Sequence, residues 1–236
     1  MSGTAREAAD RLRSFGKEER ARVNQSFFKT GEGGYGHGDR FVGVSVPHVR
    51  TVLSEFRELP VPEILKLLQS EVHEERLLAL LLLVRRYEGG DGTERKRIFD
   101  LYLAQTKWVN NWDLVDASAP GIVGVHLEGR SRRLLRRLAK SGDLWERRIA
   151  IVSTLHLIRR NEFEDTLVVA EILLGDEQDL IHKAVGWMLR EVGKRDQRAL
   201  EVFLARHYAA MPRTMLRYAI ERFPEARRQA YLRGAI

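Results

Sequence analysis

Lys107-Trp-Val-Asn-Asn-Trp-Asp-Leu-Val-Asp-Ala-Ser-Ala-Pro120 is the stretch from which the rest of this 236-residue chain is read. Asn111 stands where a helix N-cap belongs, which predicts a helix starting at Trp112. On that helix Trp112 and Asp116 are four residues apart and share one face, with Asp113 beside Asp116 at the three-residue spacing. A flat aromatic ring and a carboxylate would then occupy one surface. Pro120 has no N–H, so the carbonyl of Asp116 loses its helical partner and the helix is expected to bend there. The plainer alternative makes Trp112 a core residue and leaves Asp113 and Asp116 as first-turn acids complementing the helix dipole.

The same early helical position recurs along the chain. Aligned pairs are Glu75-Arg76, Trp112-Asp113, Arg147-Arg148, His182-Lys183 and Leu216-Arg217, and their second members are 37, 35, 35 and 34 residues apart. In a chain that otherwise reads as helices joined by short connections, that period signals stacked two-helix repeats. The fold expected is all-α: a right-handed solenoid of HEAT-like repeats, C-shaped, forming a single domain over residues 1–236. The second helix of each pair would line the concave side. That side would collect Arg76, Asp113, Asp116, Arg148, Lys183, Arg190 and Arg217 in one basic groove, with Arg147 next to Arg148.

Outward from the central stretch, helices are predicted over Pro47–Phe56, Val61–Gln69, Glu74–Tyr87, Thr93–Gln105, Trp112–Val123, Ser131–Lys140, Leu144–Arg159, Glu164–Leu174, Asp179–Gly193, Gln197–Ala210, Pro212–Phe223 and Pro224–Arg233. Thr4–Phe28 reads as two more, divided at Gly16. Thr30–Pro47 interrupts the pattern as a loop and extended insertion. Five glycines lie in the ten residues Thr30–Asp39, too many for a regular element, and no alternating run is longer than Phe41–Val46. Residues Gly31–Gly36 spell G-x-G-x-x-G, the dinucleotide fingerprint, but no strand precedes them and no helix follows directly, so that reading is rejected. His37 and Asp39 would bind a metal only with partners from elsewhere.

Composition sets the outer bounds. With 44% hydrophobic residues the chain can bury a core, and with no cysteine it has no disulfide, thiol nucleophile or cysteine-ligated metal. The longest apolar run, Leu77–Val84, is far too short to span a bilayer. A soluble, unprocessed, cytoplasmic monomer is expected, without metal or cofactor. The net charge of +7 favours a polyanionic partner. Between Arg130 and Arg160 ten Lys or Arg face only Asp143 and Glu146, with apolar residues interleaved at helical spacing. Trp187 lies between Lys183 and Arg190 on one helical face, which puts it in the groove, whereas Trp145 is read as packing between repeats.

A cationic groove with tryptophans and one carboxylate cluster suits nucleic acid, with Arg147, Arg148, Lys183, Arg190 and Arg217 taking phosphates and Asp113 among them. A carboxylate facing DNA opposes binding unless positive charge develops beside it, as on an oxocarbenium-like sugar when an N-glycosidic bond breaks. If the base is already cationic through alkylation it leaves neutral, and no general acid is required.

Three separated motifs then carry a resemblance: Trp-Asp-Leu-Val-Asp at 112–116, Asp-Leu-Trp-Glu-Arg-Arg-Ile-Ala at 143–150, and Lys-Ala-Val-Gly-Trp-Met-Leu-Arg-Glu at 183–191. Together they resemble the bacterial alkylpurine DNA glycosylases built from HEAT-like repeats, the AlkD family, over nearly the whole chain. The resemblance implies a monofunctional, metal-free enzyme of base excision repair. It would remove N3- and N7-alkylated purines from double-stranded DNA without a base-flipping pocket, and would be nucleoid-associated when bound. It also implies that Asp116 is the catalytic carboxylate, that Trp112 and Trp187 hold the deoxyribose, and that Arg148 grips the backbone. The Gly-rich loop and the segment at 211–217 depart from the best-known branch. The rival readings are a non-catalytic scaffold for damaged DNA or a protein partner, and a metal-dependent nuclease, for which no two-metal carboxylate set is evident.

Overall fold

The computed structural model describes residues 3–236. The described residues are helical wherever they are regular, and a single bridge between Arg40 and Val72 is the one trace of strand pairing among them. The chain divides into two compact units, one up to Ser118 and one from Ala119.

The first unit comprises α1 (Ala5–Arg13), α2 (Glu18–Phe27), α3 (Val46–Glu55), α4 (Val61–Leu68), α5 (His73–Gly89), α6 (Gly92–Ala104) and α7 (Trp112–Ala119). Its centre is α5, packed by α1, α3, α4 and α6. The run that sequence marked as apolar explains this: Leu78, Leu80, Leu82 and Leu83 are completely buried, and each such side chain contributes about 1.5–3 kcal/mol. The first turn of α5 is also buried although it reads His-Glu-Glu-Arg, and each of the four has a polar partner. The Glu74 carboxylate accepts from the backbone N–H groups of Val42, Gly43 and Val44 at 3.1, 2.8 and 3.2 Å. That is why the extended stretch after the Gly-rich loop needs no neighbouring strand. Glu75 pairs with Arg13 at 2.7 Å. Arg76 donates to Asp39 at 2.6 Å and to the Ser70 carbonyl at 2.8 Å.

The second unit holds α8 (Arg133–Ala139), α9 (Leu144–Ser153), α10 (Leu155–Arg159), α11 (Glu164–Ile172), α12 (Asp179–Arg195), α13 (Gln197–His207), α14 (Arg213–Ala219) and α15 (Glu225–Arg233). Here α12 is central, packed by α9, α10, α11, α13 and α14. Gly186 permits the approach to α14, since a Cβ there would lie 2.5 Å from the Met215 carbonyl oxygen. Trp145 is buried at 8% exposure.

Several boundaries differ from the sequence reading: the helix from Pro212 ends at Ala219 rather than Phe223, that from Gln197 ends at His207 rather than Ala210, and two expected helices are broken within. Leu144–Arg159 was expected as one helix and is two, because Ser153 and Thr154 turn their hydroxyls back onto the carbonyls of Ile149 and Ile151, both at 2.6 Å. The helix from Trp112 was expected to reach Val123. It ends at Ala119, and Pro120–Gly124 continue as a π-helical turn, the local consequence of the missing proline N–H.

Candidate functional site

Helix α7 is positioned from its first residue. The Asn111 carbonyl accepts from Val115 N–H at 3.1 Å, which places Asn111 at the cap position that the sequence predicts, and its side-chain oxygen accepts from the N–H of Trp112, the first helical residue, at 2.9 Å. The amide end of the same side chain donates to Asp39 at 3.2 Å, so the cap also holds the Gly-rich loop. Asn111 is fully buried for that reason. Gly36 completes the approach: a Cβ there would sit 2.3 Å from the Phe28 carbonyl oxygen and 3.3 Å from the Asn111 amide nitrogen. At its other end α7 is tied to α6, where the Tyr102 hydroxyl lies 3.0 Å from Ser118 Oγ. Burial pushes the Tyr102 hydroxyl well above its ordinary pKa, and the negative charge of Asp116 adds to that.

Trp112 and Asp116 are both half-buried, on one side of α7, while Leu114 and Val115 are fully buried behind them. Trp112 is neither core nor freely projecting. Its ring stacks on Phe28 with centroids 5.4 Å apart and planes at 12°, and meets Phe27 edge-on at 6.1 Å. Phe27 itself is 62% exposed.

Asp113 belongs to a chain of charges that sequence did not anticipate. His73 Nε2 lies 2.8 Å from Asp113 Oδ2, and His73 Nδ1 lies 2.9 Å from Asp39 Oδ2. Arg76 bonds the other oxygen of Asp39. Burial opposes the charge on Asp39, but the hydrogen bond from His73, the guanidinium of Arg76 and the amide of Asn111 outweigh it and hold the carboxyl below its ordinary range. Burial likewise opposes a charged His73; the hydrogen bonds to Asp113 and Asp39 reverse this and raise its pKa. Each His73 ring nitrogen faces a carboxylate oxygen, an arrangement that favours the protonated ring. Arg76, Asp39, His73 and Asp113 alternate in sign from the core to the partly exposed Asp113. Arg76 was expected in the groove; at 2% exposure it is instead the buried partner of Asp39.

In the second unit Lys183, Trp187 and Arg190 form the half-exposed side of α12, opposite the buried Ile181, Val185, Met188 and Leu189. Lys183 pairs with Asp179 at 2.7 Å, and Arg190 pairs with Glu221 and, at 3.7 Å, with Glu191. Arg217 is exposed. The twin arginines are engaged internally. Arg147 donates to Asp176 at 2.6 Å and to the carbonyls of Ser141 and Gly142, both at 3.0 Å. Arg148, 5% exposed, donates to the Leu180 carbonyl at 2.6 Å. His37 lies against the Gly31 carbonyl at 3.3 Å and Asp39 is taken by His73, so the two do not form a metal pair. Among the described residues no three His, Asp or Glu gather to hold a metal ion.

Sequence reading missed His73 and Phe28 as builders of this site, and the bond from Asn111 to Asp39. One signal was present: a first turn of four charged residues leading straight into an apolar run has no solvent face to turn them to.

No curated protein matches the chain at a significant level. A solved structure, described as a predicted DNA alkylation repair enzyme from Enterococcus faecalis, shares the fold with a TM-score of 0.68. It is 17% identical, and the likeness covers 89% of this chain and 97% of that one. Residues 8–223 match the sequence profile of DNA alkylation repair enzymes, which with that extent of agreement means the chain belongs to the DNA alkylation repair enzyme family.

Proposed function

We propose that this protein is a monofunctional DNA glycosylase that hydrolyses the N-glycosidic bond of cationic N3- or N7-alkylated purines in double-stranded DNA, within base excision repair. The observation that carries the reading is the placement of Trp112 and Asp116 on one half-exposed side of α7, in a chain of a DNA alkylation repair family. When the C1′–N bond breaks, its electron pair leaves with the purine, which departs neutral. The deoxyribose is left as an oxocarbenium-like cation. The Asp116 carboxylate stabilises that cation and takes a hydrogen bond from the water that adds to C1′; the water then loses its proton and the product is an abasic site. The indole faces of Trp112 and Trp187 add cation–π attraction of roughly 0.5–2 kcal/mol each. The reaction as written needs neither a metal nor a base-flipping pocket.

Lys183, Arg190 and Arg217 are the proposed phosphate contacts, with Arg147 and Arg148 bracing the backbone-facing end of α9 and Asp113 ordering the first turn of α7. The steps of 34 to 37 residues between equivalent positions support HEAT-like repeats in a solenoid with a basic concave side, acting as a monomer on chromosomal DNA in the cytoplasm.

The test is release of 7-methylguanine from methylated DNA by wild type and Asp116→Asn. We expect the substitution to lower the single-turnover rate roughly 10²- to 10³-fold with DNA binding retained. Trp187→Ala should lose roughly 2- to 30-fold, as its cation–π share implies. Full activity in Asp116→Asn would remove the mechanism, and tight binding without base release by wild type would leave a scaffold for damaged DNA.

A further inference from the structure

Like the Asn111 side chain, the ring of His73 is bonded to both the end of the Gly-rich loop and the first turn of α7. Its two nitrogens reach Asp39 at 2.9 Å and Asp113 at 2.8 Å. Its ring stacks on Phe41 with centroids 4.4 Å apart and lies tilted against Phe28 at 5.1 Å. Phe28 in turn carries Trp112 on its face at 5.4 Å. His73 thus holds α7 twice, through the Asp113 carboxylate and, by way of Phe28, through the indole next to it.

We propose that His73 is a positioning residue: as an imidazolium it clamps Asp113 and seats Trp112, so that one proton holds the first turn of α7 in its working place. The catalytic consequence rests on the glycosylase reading above; the clamp itself does not.

The groups facing His73 decide what happens when that proton leaves. Asp39 comes from the loop and Asp113 from α7, while Arg76 stands behind Asp39. The neighbouring Glu74 and Glu75 are turned elsewhere, to the backbone of 42–44 and to Arg13. A neutral imidazole keeps one N–H and offers a lone pair to the other carboxylate, which repels it. Asp39, with a side chain 3% exposed and held by Arg76 and Asn111, cannot turn to water. Asp113, 19% exposed, can. Deprotonation therefore releases Asp113, and the seat of Trp112 loosens with it. The hydrogen bonds that His73 makes to both carboxylates raise its pKa against its burial, so the clamp opens on the alkaline side of an ordinary histidine's titration.

The experiment is NMR of the full chain with ¹⁵N-labelled histidine and tryptophan from pH 5.5 to 10, with base release measured over the same range. His73 and Trp112 signals are assigned from His73→Gln and Trp112→Phe. We expect both His73 nitrogens to stay protonated beyond the pH at which exposed histidines titrate, and the Trp112 indole signal to move on the same curve. Asp113→Asn should lower that titration by roughly one pH unit or more. The base-release rate of wild type should show an alkaline loss that follows His73 and is absent in His73→Gln; any loss arising from the substrate is common to both. A His73 with a single N–H at pH 6, or an indole signal indifferent to its titration, overturns the clamp. An unchanged alkaline loss in His73→Gln overturns its part in catalysis. Wild type without base release defeats the glycosylase reading alone, since the two titrations still decide the clamp. If His73→Gln does not fold, the Asp113→Asn shift carries the test.

Discussion

At the scale of residues, the first turn of α5 joins stability to pH. Asp39 has a lowered pKa, so its ionised form stabilises the fold above its ordinary value of 3.8, and that contribution is lost as pH falls through the folded value. His73 has a raised pKa, so its contribution is complete below its ordinary value of 6.5 and is lost as pH rises through the folded value. Between about 4 and 6.5 both are present. Removing one member of a buried pair leaves its partner uncompensated, at about 3–5 kcal/mol. His73→Gln should therefore unfold in markedly less denaturant than wild type at pH 5.5, with the gap narrowing at pH 9; a gap that widens with pH would contradict the pairing. Of these contacts only Asn111 as a cap was legible beforehand, because its two polar bonds to α7 are local. The Asp39–His73–Asp113 chain joins residues 34 and 40 positions apart, and no spacing rule reaches across such separations. Trp112 was half legible. Helical spacing gave its face, while its stacking on Phe28 depends on where the loop brings residue 28.

At the scale of elements, periodicity located nearly every helix, and the two expected helices broken within are places where the backbone loses its regular partner, to a hydroxyl or to a proline. Ser153 and Thr154 divide α9 from α10 by back-bonding, an outcome hidden within an apolar pattern that continues through them. The motif around Trp187 was read from its polar side, Lys183 and Arg190. Its glycine answers to the other side, where α12 meets α14. Gly186→Ala would add a methyl 2.5 Å from both the Met215 carbonyl oxygen and the Tyr218 Cβ, closer than any relaxed contact. Backbone lies on one side, so the helices must part, and overpacking of this kind costs about 1–3 kcal/mol. Urea unfolding should register that loss with the slope unchanged. Wild-type stability in the variant would mean that α12 and α14 stand further apart than described.

At the scale of the whole molecule, the excess of 40 Lys and Arg over 33 Asp and Glu does not by itself name a surface, because many of the cations are engaged internally. Arg76, Arg132, Arg147 and Arg148 are bound to carboxylates or carbonyls inside their own units. Counting charges along Arg130–Arg160 therefore overstated what DNA can meet, and the exposed cations are the ones to test. Affinity for a B-form duplex falls with salt because each neutralised phosphate releases counterions, with a logarithmic slope of about −0.9 per contact. Arg217 is exposed and lies 34 residues after Lys183. If it takes a phosphate, Arg217→Ala should lower duplex affinity equally for methylated and unmodified DNA and reduce the slope by about 0.9, with the rate of base release at saturating DNA unchanged. Asp116→Asn should do the reverse: the rate falls and the slope does not shrink. An Arg217→Ala protein with an unaltered slope would remove this residue from the interface and shift the phosphate contacts to the α12 cations Lys183 and Arg190, whose carboxylate partners Asp179 and Glu221 would then have to yield them when DNA binds.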